Sequence, residues 1–247
     1  MTNLGLKLHL QTSKTLVVLF KVFNNHKGYI MKLSKDTLAI LKNFSSINGG
    51  IQFVEGNEIR IAATDKTVMG IAQIEETIPQ DFAIYDLSMF LQVHSLFNEP
   101  ELEFSEDYLI FKEGRRRVKY HYTDSRNVVG APYELELGSD EATLFVSAEQ
   151  LDSLKKASNV MQLRDFTMAK TGDAIQLSVE DLSQDNNNNF RIDLDFDVDM
   201  DDFRLELKVQ ALNFLSLDYE IEIVNDNQFL VFSNTERQVK YYVAVMG

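Results

Sequence analysis

Five positions near Met31 recur at one shared spacing: Leu33, Ser34, Leu38, Leu41 and Lys42 reappear as Val146, Ser147, Leu151, Leu154 and Lys155, each 113 residues on. A common offset across five positions marks duplicated architecture. It divides this 247-residue chain into two similar units, each long enough to bury its own core. In both copies a short strand-like run ends at a serine able to cap a helix, and Ser147 with Gln150 makes a capping-box pattern. Each unit therefore opens with a strand and then a helix.

The 3.6-residue period predicts a first helix over roughly Lys35 to Phe44, with Leu33, Thr37, Ile40, Leu41 and Phe44 on one face and Lys35 and Lys42 opposite. In the second copy Leu151, Leu154, Ser158 and Met161 form the buried stripe, Lys156 points away from it and Lys155 lies at its edge. A further helix is expected from an Asp86 cap through Leu87, Phe90, Leu91, His94 and Phe97 to the break at Pro100, and a shorter one over Gln210 to Leu217. Most other segments alternate with period two and read as strands: Ile51 and Phe53, Ile59 and Ile61, Leu109 and Phe111, Val118 to Tyr122, Ile175 to Val179, Phe229 and Val231, Val239 to Val243. Gly49-Gly50, Gly56-Asn57, Glu113-Gly114 and Gly172-Asp173 are turns between them. The class is α+β, strand-rich with few helices.

Four segments follow: 1–30, 31–127, a connector over 128–142 containing Gly130, Pro132 and Gly138, and 143–247. Residues 1–30 carry alternating leucines and then a basic, polar stretch unlike the rest. Translation is expected to begin at Met31, because Lys27-Gly28 can be encoded by a purine-rich run resembling a ribosome-binding site. Leu16 to Phe20 is too short an apolar run to span a membrane, and no signal-peptide cleavage pattern accompanies it. There is no cysteine, which excludes disulfides, thiolate zinc sites and a cysteine nucleophile.

The formal net charge of −14 rules out attraction to phosphates over the whole surface, but not over one face. Lysines on the first helix of each unit, within an otherwise acidic chain, supply what a non-specific, salt-dependent phosphate contact needs. The loudest acidic feature, Asp193 to Asp201 in alternation with Ile192 to Met200, lacks the glycine and terminal glutamate of a calcium loop and reads as a half-buried strand with a solvated face. Asn186 to Asn189 before it read as a loop. Arg115, Arg116, Arg117 and Lys119 enter an alternating strand, as either an aggregation-resistant edge or a charged subunit joint. His94 sits on a mostly apolar helix and reads as a packing residue, and no nucleophile elbow, phosphate loop or zincin motif is present. Two alternatives to a DNA-contacting protein stay open at this point, a β-rich assembly protein and a carboxylate-based enzyme.

The run Met31 to Thr37, followed by Leu41-Lys42-Asn43-Phe44 and Ile47-Asn48, resembles the opening of the sliding clamps of T-even-like phages. Ala83 to Leu87 with Phe90-Leu91 is similar to that family's second helix region, and Tyr242-Val243-Ala244 to its last strand. The resemblance implies a non-enzymatic, cofactor-free processivity factor in the cytoplasm of the infected bacterial host. Its fold would be that of proliferating cell nuclear antigen, with two domains of antiparallel sheet per subunit and helices on the inner face of a homotrimeric ring. It also implies partners: encircled duplex DNA, DNA polymerase, an ATP-driven clamp loader, and host RNA polymerase with phage late-transcription factors; no membrane is involved.

Carried onto this sequence, the resemblance makes Lys32, Lys35, Lys42, Lys155, Lys156 and Lys208 the DNA-facing residues. It sets a partner-peptide pocket among Val68, Met69, Val128, Val129, Pro132, Tyr133, Tyr241, Tyr242, Val243 and Val245. For the subunit joint, Arg115, Arg116, Arg117 and Lys119 are expected to meet Glu180 and Asp181 of a neighbour. The chain departs from the family in its N-terminal residues, in its asparagine-rich loop and in ending at Gly247 without a longer tail. The second helix carries no lysine.

Overall fold

Serines at the two repeat-related positions start the two long helices by the same device. In the computed structural model, which describes residues 29–132, 140–183, 188–194, 201–224 and 229–246, strand β1 (Ile30–Met31) leads into helix α1 (Lys35–Ile47). The Thr37 N–H donates to Ser34 Oγ at 3.1 Å, and the Thr37 hydroxyl donates at 2.5 Å to Glu76, whose carboxylate also accepts the Ser34 N–H. Two otherwise orphaned groups at the helix start are thus satisfied. The first half continues with β2 (Ile51–Phe53), β3 (Gly56–Ala62), β4 (Val68–Ile78), β5 (Phe82–Ile84), α2 (Leu87–Ser95), β6 (Glu101–Phe104), β7 (Tyr108–Glu113) and β8 (Arg116–His121). The second half has β9 (Asp140–Val146), α3 (Ala148–Met161), β10 (Asp165–Thr171), β11 (Ala174–Glu180), β12 (Phe190–Leu194), β13 (Phe203–Lys208), β14 (Tyr219–Val224), β15 (Phe229–Asn234) and β16 (Val239–Ala244). The expected capping box is formed at α3: Gln150 N–H donates to Ser147 Oγ at 3.2 Å and Ser147 N–H to Gln150 Oε1 at 2.8 Å.

The repeat extends from sequence into topology. One sheet runs β1-β6-β7-β8, and the second half repeats that order as β9-β14-β15-β16. The latter run does not stop there. Strand β16 pairs antiparallel with β4, Val239 opposite Ala72 through Val243 opposite Val68, so one six-stranded sheet β3-β4-β16-β15-β14-β9 joins the halves. A third sheet has the order β12-β11-β10-β13, and β2 pairs with β5.

The core follows the apolar periods. Thr37, Ile40, Leu41 and Phe44 of α1, and Leu151, Leu154 and Ser158 of α3, are buried as the helical pattern requires. Two helical expectations are corrected. Gln210 to Leu217 does not form a helix; the chain makes a 3-10 turn over Val209–Leu212 and leaves it at Asn213. There Asn213 bonds to α1 through both its carbonyl and its side chain, while Phe214 stacks on Tyr241 with ring centroids 4.3 Å apart, and these long-range contacts outweigh the weak local period. Met161 is exposed rather than buried, because α3 ends there and Gln162 turns into the left-handed region with φ 57°.

His94 on α2 is a packing residue in fact: it is buried, sits edge-on to Phe111 and leaves Nε2 without a hydrogen-bond partner. Burial pushes its pKa below the ordinary histidine value. The unfolded chain therefore takes up a proton near pH 6.5 that the folded one resists, so stability is full above that pH and falls as pH drops through and below it. Denaturant midpoints measured from pH 7.5 to 5.5 should fall for the wild type and fall less for His94→Leu; equal slopes would remove His94 as the cause.

Candidate nucleic-acid interface and partner pocket

The helical elements form one row. Helix α2 packs on α1, and the end of α1 is tied to the turn at Val209–Leu212 by Asn43 Nδ2 donating to the Asn213 carbonyl at 2.9 Å and Asn213 Nδ2 donating to Ser46 Oγ at 2.8 Å. That turn in turn packs on α3. The helical elements are thus linked one to the next across the two halves.

Lys35, Lys42 and Lys156 lie exposed on this row. Lys155 is drawn back against Asp152 at 3.2 Å and is half-buried, with the Asp152 carboxyl held low chiefly by the Ser216 hydroxyl. Lys32, just before α1, is 3.8 Å from Glu99. Lys208, at the end of β13, immediately precedes the turn at Val209–Leu212; its side chain is exposed and its ammonium pairs at 2.5 Å with the buried Asp165.

The segment following β8 is held down by side chains of the first half. Gln52 Nε2 donates to the carbonyls of Ser125 and Val128 at 2.8 and 3.1 Å, and Arg60 donates to the Pro132 carbonyl at 2.8 Å. Val128 is buried against Gly50, where an added Cβ would come within 3.0 Å of it; Val129 and Pro132 are open to solvent, and Tyr133 lies outside the described residues. Strand β9 begins at Asp140, inside the span expected for the connector.

A cavity of about 280 Å³ lies where the two halves meet, lined by Ile47 of α1, Ala63 to Asp65, Thr67, Val68, Lys208, Ala211, Ala244 and Met246. Of the residues expected to form a partner pocket, Val68 lines it, and Val245, half-buried, lies between two of its lining residues. Tyr241 and Val243 are corrected: both are fully buried, and Tyr241 is packed among Phe44, Phe214 and Tyr219 with its hydroxyl donating to Asn43 Oδ1 at 2.7 Å. Met69, buried, and its cross-strand partner Tyr242, half-buried, face the opposite side of the sheet. The lining residues that sequence reasoning did not name, among them Ala63 to Asp65, Thr67, Ala211 and Met246, come from three distant stretches, and no spacing along the chain announces that they meet. In the loop, the Thr67 hydroxyl and N–H hold the Asp65 carboxyl below its ordinary pKa.

Among the strands that end their sheets are β8 and β12. On β8, Val118 is half-buried and Tyr120 buried, whereas Arg117 and Lys119 point outward. Arg116 is paired with Glu113, donates to the Leu96 carbonyl at 3.0 Å and covers the Phe97 ring; Arg115 is exposed at the preceding turn. Glu180 is not available as expected from sequence: its carboxylate accepts the Thr167 hydroxyl at 2.9 Å and pairs with Arg204 at 3.0 Å. Asp181 accepts both the N–H and the hydroxyl of Ser183. The acidic tract is seen as Asp193 on β12 and Asp201, with 195–200 outside the described residues. Among the described residues no group of three or more His, Cys, Asp or Glu could hold a metal ion, and no helix is long and apolar enough to cross a membrane.

Residues 34–129 match the family described as DNA polymerase processivity factor. Over 199 residues the chain is 32% identical to the sliding clamp of Vibrio phage KVP40, covering 78% of this chain and 90% of that protein. This chain belongs to the sliding-clamp family. The sliding clamp of Enterobacteria phage T4 is 37% identical over 135 residues, which span 54% of this clamp and 59% of that one. Among solved structures, the fold is shared with proliferating cellular nuclear antigen from Entamoeba histolytica, at a TM-score of 0.63 and 9% identity over 89% of this chain and 99% of that one. It is shared also with a DNA polymerase III beta subunit from Eubacterium rectale, at a TM-score of 0.65 and 14% identity over 89% of this chain and 66% of that one. The clamp thus spans about two thirds of that bacterial chain.

Proposed function

We propose that three copies of this clamp close into a ring around duplex DNA and slide along it, keeping the phage polymerase beside its template. The observation that carries the ring is the within-chain joint. Strand β16 of the second half is paired with β4 of the first, while their repeat counterparts, β8 and β12, end their sheets among the described residues. An edge with unpaired N–H and C=O groups is a template for another strand, and a head-to-tail joint of unlike surfaces closes into a ring when its rotation allows.

In that ring the helical row lines the bore. Exposed Lys42, Lys35 and Lys156 give point charges to phosphates without reading bases, a contact that slides easily because it is non-specific and salt-dependent. The cavity between the halves receives a short partner segment, with apolar walls from Ile47, Val68, Ala211 and Met246 and with the Gln52-held connector nearby. Tethering raises a partner's effective concentration near DNA, so a weak peptide contact suffices. Polymerase, an ATP-driven loader and the host RNA polymerase with late-transcription factors are the partners proposed, in the cytoplasm of the infected cell. No bond is made or broken by the clamp.

The test is topological. After incubation with the cognate loader, ATP and nicked circular DNA, the clamp should co-elute with the circle and be lost when the circle is cut once; equal retention on linear DNA would sink encirclement and return the chain to the assembly-protein reading.

A further inference from the structure

Resting on the ring just proposed, we infer that its joints form in one register, with Arg117 of one subunit opposite Asp193 of the next. The register is read from the internal repeat. Strands β8 and β16 are counterparts of equal length, and each is followed by the same backbone bond to the strand behind it: Thr123 N–H to the Ala83 carbonyl at 3.0 Å, and Met246 N–H to the Glu206 carbonyl at 2.8 Å. This sets Arg117 at the position of Lys240 and Val118 at that of Tyr241. Strands β3 and β11 align on the glycines where the chain turns into them, Gly56 (φ 133°) and Gly172 (φ 59°), which sets Ile59 at Ile175. Through the ladders, Ile59 opposite Ala72 and Ile175 opposite Leu194, Ile71 falls at Asp193 and Gly70 at Ile192.

Within the chain Lys240 lies opposite Ile71 and Tyr241 opposite Gly70. Transferred to the joint, Arg117 lies opposite Asp193, Val118 opposite Ile192 and Tyr120 opposite Phe190. Two independent features agree with this. Val118 and Tyr120 point to the same side as Phe190 and Ile192, the less exposed one, while Arg117 and Asp193 both face solvent, so no side chain is put on the wrong face. Arg117 and Asp193 are also opposite in charge, and an opposite-charge cross-strand pair is stabilising. Lys119 falls opposite Arg191 but is diagonal to Asp193, and its ammonium is drawn over the Tyr108 ring at 3.7 Å.

Charge alone favours a competitor. A slip of two residues keeps every face correct and sets Lys119 opposite Asp193 and Val118 opposite Leu194. Cross-linking separates the two, because the chain has no cysteine of its own. Gln73 N–H donates to the Gln238 carbonyl and Ala244 N–H to that of Thr67, so Tyr241 and Gly70 form a non-hydrogen-bonded pair, and Val118 and Ile192 inherit that geometry. Such pairs have Cα atoms about 4.5 Å apart, within the range a disulfide spans.

Val118→Cys with Ile192→Cys, oxidised with glutathione disulfide, should give covalently closed oligomers on non-reducing gels, and Val118→Cys with Leu194→Cys should give little. The reverse preference, in a chain that light scattering shows to be oligomeric, overturns the register while leaving the ring in place. A monomeric wild type with neither pair linking overturns the ring reading and the register with it. As a second measurement on wild-type cysteine-free chains, Arg117→Asp and Asp193→Arg should each weaken assembly on the order of tenfold or more, and the double swap should restore it. A double swap as weak as either single change overturns the pair.

Discussion

Clamps carrying Lys35→Ala, Lys42→Ala, Lys155→Ala and Lys156→Ala together should fold and assemble as the wild type does, yet support much shorter products on primed circular DNA with loader and ATP. None of the four is in the core, and Lys155 pairs within the chain with Asp152. Each lysine–phosphate interaction removed should reduce the slope of log affinity against log salt by about 0.9, so the defect is largest at low salt, where the wild-type attraction is strongest. The single changes should not be equal. Lys42→Ala and Lys156→Ala remove exposed charges, whereas Lys155→Ala removes one already half neutralised by Asp152 and should have the smallest effect. Product lengths matching wild type at low salt, from a variant of verified mass and oligomeric state, would remove these lysines from the DNA contact.

Tyr241→Ala should be among the most destabilising single changes in the clamp, by about 3–5 kcal/mol for a large buried aromatic truncated to alanine. The ring is fully buried, stacked on Phe214 and edge-on to Phe44 and Tyr219. Phe44 belongs to α1 in the first half and Tyr241 to the second, so the cavity would open between the halves. Burial raises the Tyr241 pKa above the ordinary phenol range, so the hydroxyl stays protonated and keeps its bond to Asn43. Tyr241→Phe, which keeps the ring and removes the hydroxyl with its bond to Asn43, should cost about 1 kcal/mol. Chemical unfolding followed by near-ultraviolet circular dichroism measures both; a cost below about 1 kcal/mol for Tyr241→Ala, well under the usual range for such truncations, would mean that the halves do not depend on this contact.

The aromatic cluster also shows where sequence reasoning stops. Tyr241 and Val243 alternate correctly for a strand, and period two says that they share a face. It does not say that their face is the fully covered one, because the cover comes from α1 and Phe214, distant in sequence. Lys208 shows a similar limit: its place at the end of a strand says nothing of Asp165 on the adjacent strand β10, with which its exposed ammonium pairs. Glu180 stands out in the sequence by its charge, and in the fold the adjacent β10 and, beyond it, β13 already engage that charge through Thr167 and Arg204. The turn at Val209–Leu212 replaces an expected helix because Asn213 and Phe214 gain more from α1 and Tyr241 than from another helical turn.

By itself the sequence determined the two-fold repeat, both long helices with their serine caps, the buried face of α1, the packing role of His94 and the strands β2, β3, β7, β8, β11, β15 and β16, but not β4, β5, β6, β10, β13 or β14. These depend on hydrogen bonds and side-chain periods spanning a few residues, and the chain carries such information locally. Tertiary structure alone decided that β16 crosses to β4 and joins the halves in one sheet, that β8 and β12 end their sheets among the described residues, and that Ile47, Val68, Ala211 and Met246 surround one cavity. The reason is that a strand's sequence fixes which side chains share a face, but its two rows of backbone groups are the same for every residue, so the choice of neighbour is made by how the covered faces pack.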